Sequence, residues 1–169
     1  MKWSNLWLTN KLRSAAHSAT EDKASNMFTG TYVHTIDTKG RLSLPSGFRK
    51  NLSGDLVVAK GFEGCLQVFS QDAYEDFLKT FTAAGSIEPR VRKVGRYFMA
   101  GSEPVELDGA GRIRVPQHLK EFADLEKSVT VIGYGDRIEL WNPENWEDYM
   151  SDISVEELAS ELVQAGLLA

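Results

Sequence analysis

Apolar and polar positions along the chain follow the same order twice. In the first round, alternating or β-branched stretches lie on both sides of a polar four-residue turn, which predicts a β-hairpin. Pro45 then opens a short helical turn that should carry Phe48 inward. Two further strands precede a longer amphipathic stretch. The strands predicted for this round cover residues 32–36, 41–44, 55–60 and 65–69.

An amphipathic helix is predicted at the end of each of the two repeats. Apolar side chains at i, i+3, i+4 and i+7 predict a helix from about 71 to 83, with Ser70 as its N-cap. The second round ends in the same way, with Asn142 as the cap and Pro143 at the first helical position. A last helix should begin at the N-cap Ser154. Its predicted buried side chains are Val155, Leu158 and Leu162.

The two rounds match residue by residue. Asp-x-x-Gly-Arg occurs at 37–41 and again at 108–112, inside ten-residue segments whose apolar positions agree. The offset is 71 positions through Pro45 and Pro116 and 72 afterwards, so the match extends over about forty residues per copy. Four short strands make too small a sheet to bury a core alone, which favours two copies that pack together or interleave.

These observations predict an α+β fold of two tandem β units with short helices, related by a pseudo-twofold duplication. We expect the N-terminal extension to be mostly disordered because it is small and polar, and Met27 is a candidate for the true translation start. The predicted divisions are the extension 1–26, a first repeat 27–83, a helical connector 84–101, a second repeat 102–150 and an acidic C-terminal helix 151–169.

Composition narrows the class of protein. The chain is 42% hydrophobic and 25% charged, which is typical of a soluble globular protein. No apolar run approaches the ~20 residues that span a bilayer, so we expect a cytoplasmic protein with no membrane partner. Cys65 is the single cysteine and cannot form an internal disulfide, and we interpret it as a small core residue.

The charge is unevenly distributed along the chain. The formal net charge is −5, which at first argues against a nucleic-acid partner. However, residues 121–169 hold twelve acidic and two basic side chains, whereas 27–60 and 86–120, which contain the repeated turn, are both locally basic. Binding depends on the local field, so the acidic total does not exclude DNA.

Patterns of common catalytic and cofactor sites are missing from the sequence. His17, His34 and His118 are scattered, and no set of side chains has metal-ligand spacing. There is no nucleophile elbow, Walker loop or Rossmann glycine pattern. We therefore predict no enzyme activity, no metal, no cofactor and no small-molecule substrate.

The repeated turn has a structural and a functional interpretation. Its aspartates can accept hydrogen bonds from turn amides and its glycines can adopt positive φ; these turn-forming residues are Asp37, Gly40, Asp108 and Gly111. Turn structure explains the arginines less well, because a surface ion pair contributes only ~0–1 kcal/mol. A guanidinium held by a carboxylate suits bidentate contacts with phosphate or guanine. The predicted DNA-binding residues are Lys39, Arg41, Arg112 and Arg114.

The chain resembles the MraZ family over about residues 27–150. The resemblance is carried by Met27-Phe28-Thr29-Gly30, the two Asp-x-x-x-Arg motifs, Gly64-Cys65-Leu66 and the ending Trp141…Trp146. That family is a duplicated member of the AbrB-like, swapped-hairpin DNA-binding class. The extension before Met27 and the acidic segment after about 152 depart from the family pattern.

The resemblance implies a sequence-specific transcriptional regulator. It would bind repeated elements in double-stranded promoter DNA upstream of the division and cell-wall gene cluster, its own promoter included. The resemblance further implies association with the nucleoid, assembly into a closed homo-oligomeric ring, and DNA-facing roles for Arg41 and Arg112.

Two other classes of function stay open at this point. A non-DNA-binding assembly module would use the hairpins only to build the oligomer, with its arginines paired inside it. A small enzyme could form a site between subunits, although no residue pattern supports one. A basic run on the helix predicted from Pro89 fits a solvated face as well as a phosphate-contacting face; it comprises Arg90, Arg92, Lys93 and Arg96.

Overall fold

The computed structural model describes residues 27–52, 54–82, 88–152 and 154–168, so the prediction for residues 1–26 lies outside the described residues. The predicted α+β class is confirmed. The first half holds β1 (Phe28–Thr35), β2 (Arg41–Ser43), α1 (Ser46–Arg49), β3 (Asp55–Lys60), β4 (Leu66–Ser70), α2 (Gln71–Thr82) and α3 (Pro89–Ala100). The second half holds β5 (Ser102–Glu106), β6 (Arg112–Arg114), α4 (Gln117–Phe122), β7 (Ser128–Gly135), β8 (Arg137–Trp141), α5 (Pro143–Ser151) and α6 (Val155–Gln164).

Six strands form one antiparallel sheet in the order β1-β7-β8-β4-β3-β5. At one edge, β1 pairs along its whole length with β7, so that Tyr32 faces Val131. At the other edge, β5 pairs with β3, and Leu56 faces Val105. Each edge strand therefore lies beside a strand from the other half of the chain, and the two halves share one core.

The predicted hairpin of strands at 32–36 and 41–44 does not form as a strand pair, and only its turn is present. Ile36 and Leu42 form a single isolated bridge, while β1 pairs with β7 and β2 pairs with β6. Alternation along a strand reports which side chains are buried and does not report which strand supplies the hydrogen bonds. The sequence pattern could therefore place the turn without identifying the pairing partners.

Strands β2 and β6 form a separate two-stranded ribbon. Leu42 lies opposite Ile113 at its centre, and both side chains are completely buried. The Leu44 N–H donates to the Gly111 carbonyl at 3.0 Å, and the Val115 N–H donates to the Gly40 carbonyl at 3.0 Å. Because side chains alternate along a strand, burial of the central pair turns its neighbours toward solvent.

The inner face of the sheet packs against this ribbon and the two short helices after the turns. Phe48 of α1 and Leu119 of α4 lie in one cluster with strand side chains such as Leu56 and Val131. Phe48 is buried, which confirms the prediction that the helical turn after Pro45 carries it inward.

The outer face of the sheet is covered by the longer helices. Tyr74 of α2 packs with Val57 and Phe69, and Trp146 of α5 packs against Trp141. Cys65 is buried and unpaired, as the sequence predicted.

The longer helices begin at the predicted caps. Ser70 Oγ accepts a hydrogen bond from the Ala73 N–H at 3.3 Å, and Asn142 Oδ1 accepts one from the Glu144 N–H at 2.8 Å. Ser154 Oγ accepts a bond from the backbone of α6 at 3.4 Å. These three positions are confirmed, because each side chain satisfies an N–H that has no partner inside its helix.

The buried stripe predicted for the last helix is wrong. No residue of α6 is buried, and Val155 remains 60% exposed. The apolar spacing is real, but an amphipathic pattern does not say which surface covers the apolar side.

The described residues contain neither a membrane-spanning helix nor a metal-ligand cluster. None of their helices combines the length and apolar character needed to cross a bilayer. No group of three or more His, Cys, Asp or Glu side chains among them is placed to hold a metal ion.

Candidate nucleic-acid interface

The first repeated turn is built around the carboxylate of Asp37. Its Oδ1 accepts hydrogen bonds from the backbone N–H groups of Lys39 and Arg41, both at 2.9 Å. Its Oδ2 accepts the Arg41 Nε–H at 2.7 Å, and Arg41 Nη2 lies 2.7 Å from the same oxygen. Gly40 supplies the positive φ of +77° that the turn requires. One carboxylate therefore fixes both the backbone and the direction of the guanidinium.

The second turn repeats this geometry around Asp108. Its Oδ1 accepts from the Ala110 and Arg112 N–H groups at 2.9 Å, and its Oδ2 accepts the Arg112 Nε–H at 2.8 Å. Gly111 has a φ of +74°. The match between the two copies thus extends from sequence to individual hydrogen bonds.

Both carboxylates are held in the ionised form. The hydrogen bond from the Arg41 side chain, with bonds from the turn backbone, lowers the pKa of Asp37 to about 2. The backbone bond from Arg112, followed by that from its side chain, lowers the pKa of Asp108. The Arg41 and Arg112 side chains remain 33% and 32% exposed, so solvent still reaches both guanidinium groups.

The solvent face of the β2–β6 ribbon is basic. It carries the side chains that alternate with the buried pair, which are Arg41, Ser43, Arg112 and Arg114. Arg41 lies directly opposite Arg114, and Asp37 compensates the charge of Arg41, so this end of the ribbon keeps the positive charge of Arg114. A polyanion lying across the ribbon would neutralise that charge. The structure thus brings together all four residues predicted from the sequence, since Lys39 belongs to the turn that precedes Arg41.

Two further cations reach the turns from the short helices, each crossing to the turn of the other copy. The Arg49 side chain of α1 fills the space that a Cβ on Gly111 would need, and its Nε–H donates to the Leu44 carbonyl at 2.7 Å. Lys120 of α4 places its Nζ 3.8 Å from the position of a Cβ on Gly40. Each turn is therefore flanked by a cation that sequence reasoning missed.

A sequence signal for these two cations exists. Arg49 follows Pro45 by four positions and Lys120 follows Pro116 by four, so the pair obeys the same offset as the turns. Because the match between the two copies already spans these positions, the shared positive charge of Arg49 and Lys120 is the signal that could have identified both residues.

An open cleft of about 960 Å³ lies beside the first turn. Its basic lining consists of Lys39, Arg41, Arg112, Arg114 and Lys120. Part of the remaining lining is acidic and comes from Asp55, Glu103 and Glu106 of β3 and β5 and from Asp108, which is paired with Arg112. An anion in the cleft is therefore attracted to the ribbon and repelled from β5.

The basic run on α3 is not part of this surface. Arg90, Lys93 and Arg96 are exposed, but none of them lines the cleft. The structure thus separates the helical basic run from the turns, and an experiment can address each surface alone.

Comparison with known proteins agrees with the duplication. The family described as "MraZ protein" matches the chain twice, at residues 27–97 and 98–165. The Transcriptional regulator MraZ of Alkaliphilus metalliredigens is 41% identical over 146 residues, and that of Alkaliphilus oremlandii is 38% identical over 143 residues. Each of these alignments covers 83% of this chain and 100% of the relative. The relative from Caldanaerobacter subterraneus is 40% identical over 138 residues, covering 80% of this chain and 96% of its own length.

Fold and site define a duplicated α+β protein with a basic β-ribbon at the junction of its two copies. The chain belongs to the MraZ family, as its sequence motifs predicted.

Proposed function

We propose that this protein is a sequence-specific DNA-binding transcriptional regulator that contacts DNA through the β2–β6 ribbon. The observation that carries the proposal is the ribbon itself, with Leu42 and Ile113 buried on one side and three arginines on the other. The major groove of B-DNA admits a two-stranded ribbon, and arginine binds the O6 and N7 atoms of guanine bidentately. The name of the relatives, transcriptional regulator, supports the same function.

The cations of this surface have different roles in the proposal. Arg41 and Arg112 approach bases or phosphates with guanidinium groups already oriented by their aspartates, which reduces the entropy lost on binding. Lys39 and Arg114 form no ion pair within the described part of the chain and are exposed, so they are suited to phosphate contacts.

We also infer an AbrB-like, swapped-hairpin arrangement and a closed homo-oligomeric ring. The exchange of β1 and β5 between the two halves supports the first inference. A ring would repeat the ribbon around its circumference, so that several copies engage repeated DNA elements together and raise the avidity without new contacts.

The target we propose is promoter DNA upstream of the division and cell-wall gene cluster, including the protein's own promoter, in a cytoplasmic, nucleoid-associated protein. Family membership supports this target. The proposed function needs no cofactor and no small-molecule substrate.

The test is a titration of the purified protein onto its own upstream DNA and a scrambled control, at about 50 and 200 mM salt. Arg41→Ala and Arg112→Ala are measured beside Arg96→Ala, a matched control that removes an exposed arginine outside the cleft. We expect selective, salt-sensitive binding that the first two variants weaken and the control preserves, with an unchanged oligomer mass. A wild-type protein that ignores both DNAs would instead indicate a non-DNA-binding assembly module.

A further inference from the structure

Each copy of the repeat ends in two helices. The two family matches end at residues 97 and 165, so the first match ends within α3 and the second directly after α6. Helices α3 and α6 are therefore corresponding elements, each following the helix that covers the outer face of the sheet in its own copy.

In the first copy, α3 is held by an aromatic cluster. The Phe98 side chain is fully buried, and its ring lies 5.1 Å from Phe62, 4.9 Å from Phe77 and 5.4 Å from Phe81. The Tyr74 hydroxyl donates to the Phe98 carbonyl at 3.2 Å. The corresponding position in the second copy should therefore also suit an apolar helix.

The second copy has the aromatic side chains but not the packed helix. At the offset of 72, Tyr134, Trp146 and Tyr149 correspond to Phe62, Tyr74 and Phe77. Tyr134 is 58% exposed and Tyr149 is 47% exposed, and Val33 on the neighbouring edge strand is 70% exposed. We call Tyr134, Trp146 and Tyr149 the aromatic platform.

In helix α6 most of the apolar side is left exposed, with Leu162 partly covered. Val155 and Leu158 are 60% and 39% exposed, and no residue of the helix is buried. Because Val155, Leu158 and Leu162 share one side of the helix, their burial on another surface would remove a continuous apolar stripe from water.

The length of the connection decides which platform α6 can reach. Six residues, 83–88, separate α2 from α3, whereas only three, 152–154, separate α5 from α6. A short hinge hinders a helix from folding back on its own copy and favours exchange of that element with a second molecule.

We propose that α6 docks on the aromatic platform of a second copy of this chain, in the position that α3 occupies in the first repeat. This inference rests on the self-assembly in the proposed function and identifies the contact that produces it. The helix and the platform are different surfaces of the chain, so a molecule that gives its helix to one neighbour and receives a helix from another makes head-to-tail contacts, which generate a ring where the rotation closes.

The first test measures solution mass by light scattering for Leu158→Glu, with Leu168→Ser as the control because it alters an exposed leucine beyond the end of α6. We expect Leu158→Glu to approach the 18.8 kDa of a single chain and the control to keep the wild-type mass. A wild-type mass for Leu158→Glu, or a monomeric wild-type protein, would overturn the docking.

A second variant tests the hinge without removing an apolar side chain. Insertion of three Gly or Ser residues after Asp152 gives α6 the longer connection of the first repeat, so the helix should fold onto its own platform and the mass should fall. An insertion variant that keeps the wild-type mass would contradict exchange through a short hinge.

A cysteine pair identifies the two surfaces directly. Tyr149→Cys and Leu158→Cys are placed in separate, co-expressed copies, and the purified protein is oxidised with diamide, after which docking predicts a disulfide-linked mixed dimer. A pair of Met99→Cys and Leu158→Cys treated in the same way is the control. Cys65 does not compete, because it is buried and burial raises the pKa of its thiol. Absence of the mixed dimer would count against the proposed contact.

Measurements of DNA binding by the variants distinguish a failure of this inference from a failure of the proposed function. Leu158→Glu should bind a short duplex with a single element as wild type does, while losing the avidity for repeated elements. Arg41→Ala should show the reverse, with the mass kept and single-element binding weakened by roughly tenfold or more.

Discussion

The two repeated turns share their hydrogen bonds but differ in charge. Around Asp37 and Asp108 the carboxylate fixes the backbone and the arginine in the same way. The first turn has Lys39 where the second has Ala110, and the second strand has Arg114 where the first has Ser43.

This difference concentrates charge at one end of the ribbon. In the antiparallel pair, Arg114 faces Arg41, so both extra cations lie at the end formed by the first turn. At the other end Arg112 faces Ser43. The duplication therefore keeps the turn geometry twice, while the charge is distributed so that one end should dominate anion binding.

The largest effect on stability should come from the buried side of the ribbon, where each copy contributes one fully buried apolar side chain. Leu42→Ala and Ile113→Ala should each lower the free energy of unfolding by roughly 2–5 kcal/mol, because both side chains are fully buried. Since these residues face each other, the double variant should be non-additive. Urea unfolding followed by tryptophan fluorescence at fixed protein concentration measures this, and additive losses would contradict direct packing.

The arginines should reveal the asymmetry in DNA affinity. Loss of a bidentate contact costs on the order of 1–3 kcal/mol, or roughly tenfold or more in Kd. We expect Arg41→Ala to weaken binding more than Arg112→Ala, because Arg41 lies at the end with the extra cations. Fluorescence anisotropy with a single-element duplex measures both; equal losses would mean that the two ends contribute alike.

The turn glycines should affect stability by a smaller amount. An alanine at positive φ costs ~1–2 kcal/mol, so Gly40→Ala and Gly111→Ala should both lower the free energy of unfolding. Gly111→Ala should cost more, because a Cβ there must displace Arg49, whereas the nearest atom at Gly40 is 3.7 Å away. Thermal denaturation compares the two variants, and a larger loss at Gly40 would contradict the placement of Arg49.

Substitutions at the one position where the charge of the two turns differs, Lys39 in the first and Ala110 in the second, should change the salt dependence of DNA binding. Each phosphate contact contributes about 0.9 to the slope of log K against log salt. Lys39→Ala should lower the slope by about that amount, and Ala110→Lys should raise it similarly. The slope is measured from titrations over a salt series. An unchanged slope in Lys39→Ala would exclude Lys39 from phosphate contact.

Low pH should reduce the contribution of both turns to stability, and the pKa of Asp37 defines the pH range of this loss. Its pKa falls from 3.8 to about 2 in the folded protein, so its stabilising contribution is present above about pH 4 and is lost as the pH falls toward 2. Asp37→Asn should therefore show a shallower loss of stability over that range than the wild type. Urea unfolding at several pH values measures the slope, and identical slopes would count against the Asp37–Arg41 pair.

The parts of this site that depend on contacts between residues close together in the chain could be predicted from the sequence. The Asp-x-x-Gly-Arg pattern specifies a turn whose carboxylate, glycine and arginine lie within five residues, and short-range sterics and hydrogen bonding determine such a unit. The caps Ser70 and Asn142 could be predicted for the same reason.

The parts that depend on distant contacts could not be predicted in this way. Strand alternation cannot say that β2 pairs with β6, and this pairing is what places Arg41 opposite Arg114. Arg49 crosses to the turn of the other copy, which only the folded chain reveals. The apolar side of α6 was visible in the sequence, but whether its own chain covers it is a tertiary property.

Arginine-selective chemical modification with and without DNA, quantified by mass spectrometry, tests the DNA-facing role of the ribbon most directly. Both candidate DNA-binding surfaces, the ribbon and α3, carry arginines that solvent reaches. The modification of each set of arginines therefore reports on DNA contact at that surface. We expect bound promoter DNA to protect Arg41, Arg112 and Arg114, while Arg90 and Arg96 react as before. Protection of Arg90 and Arg96 with the ribbon arginines still reactive would place DNA on α3 and contradict the role of the repeated turns.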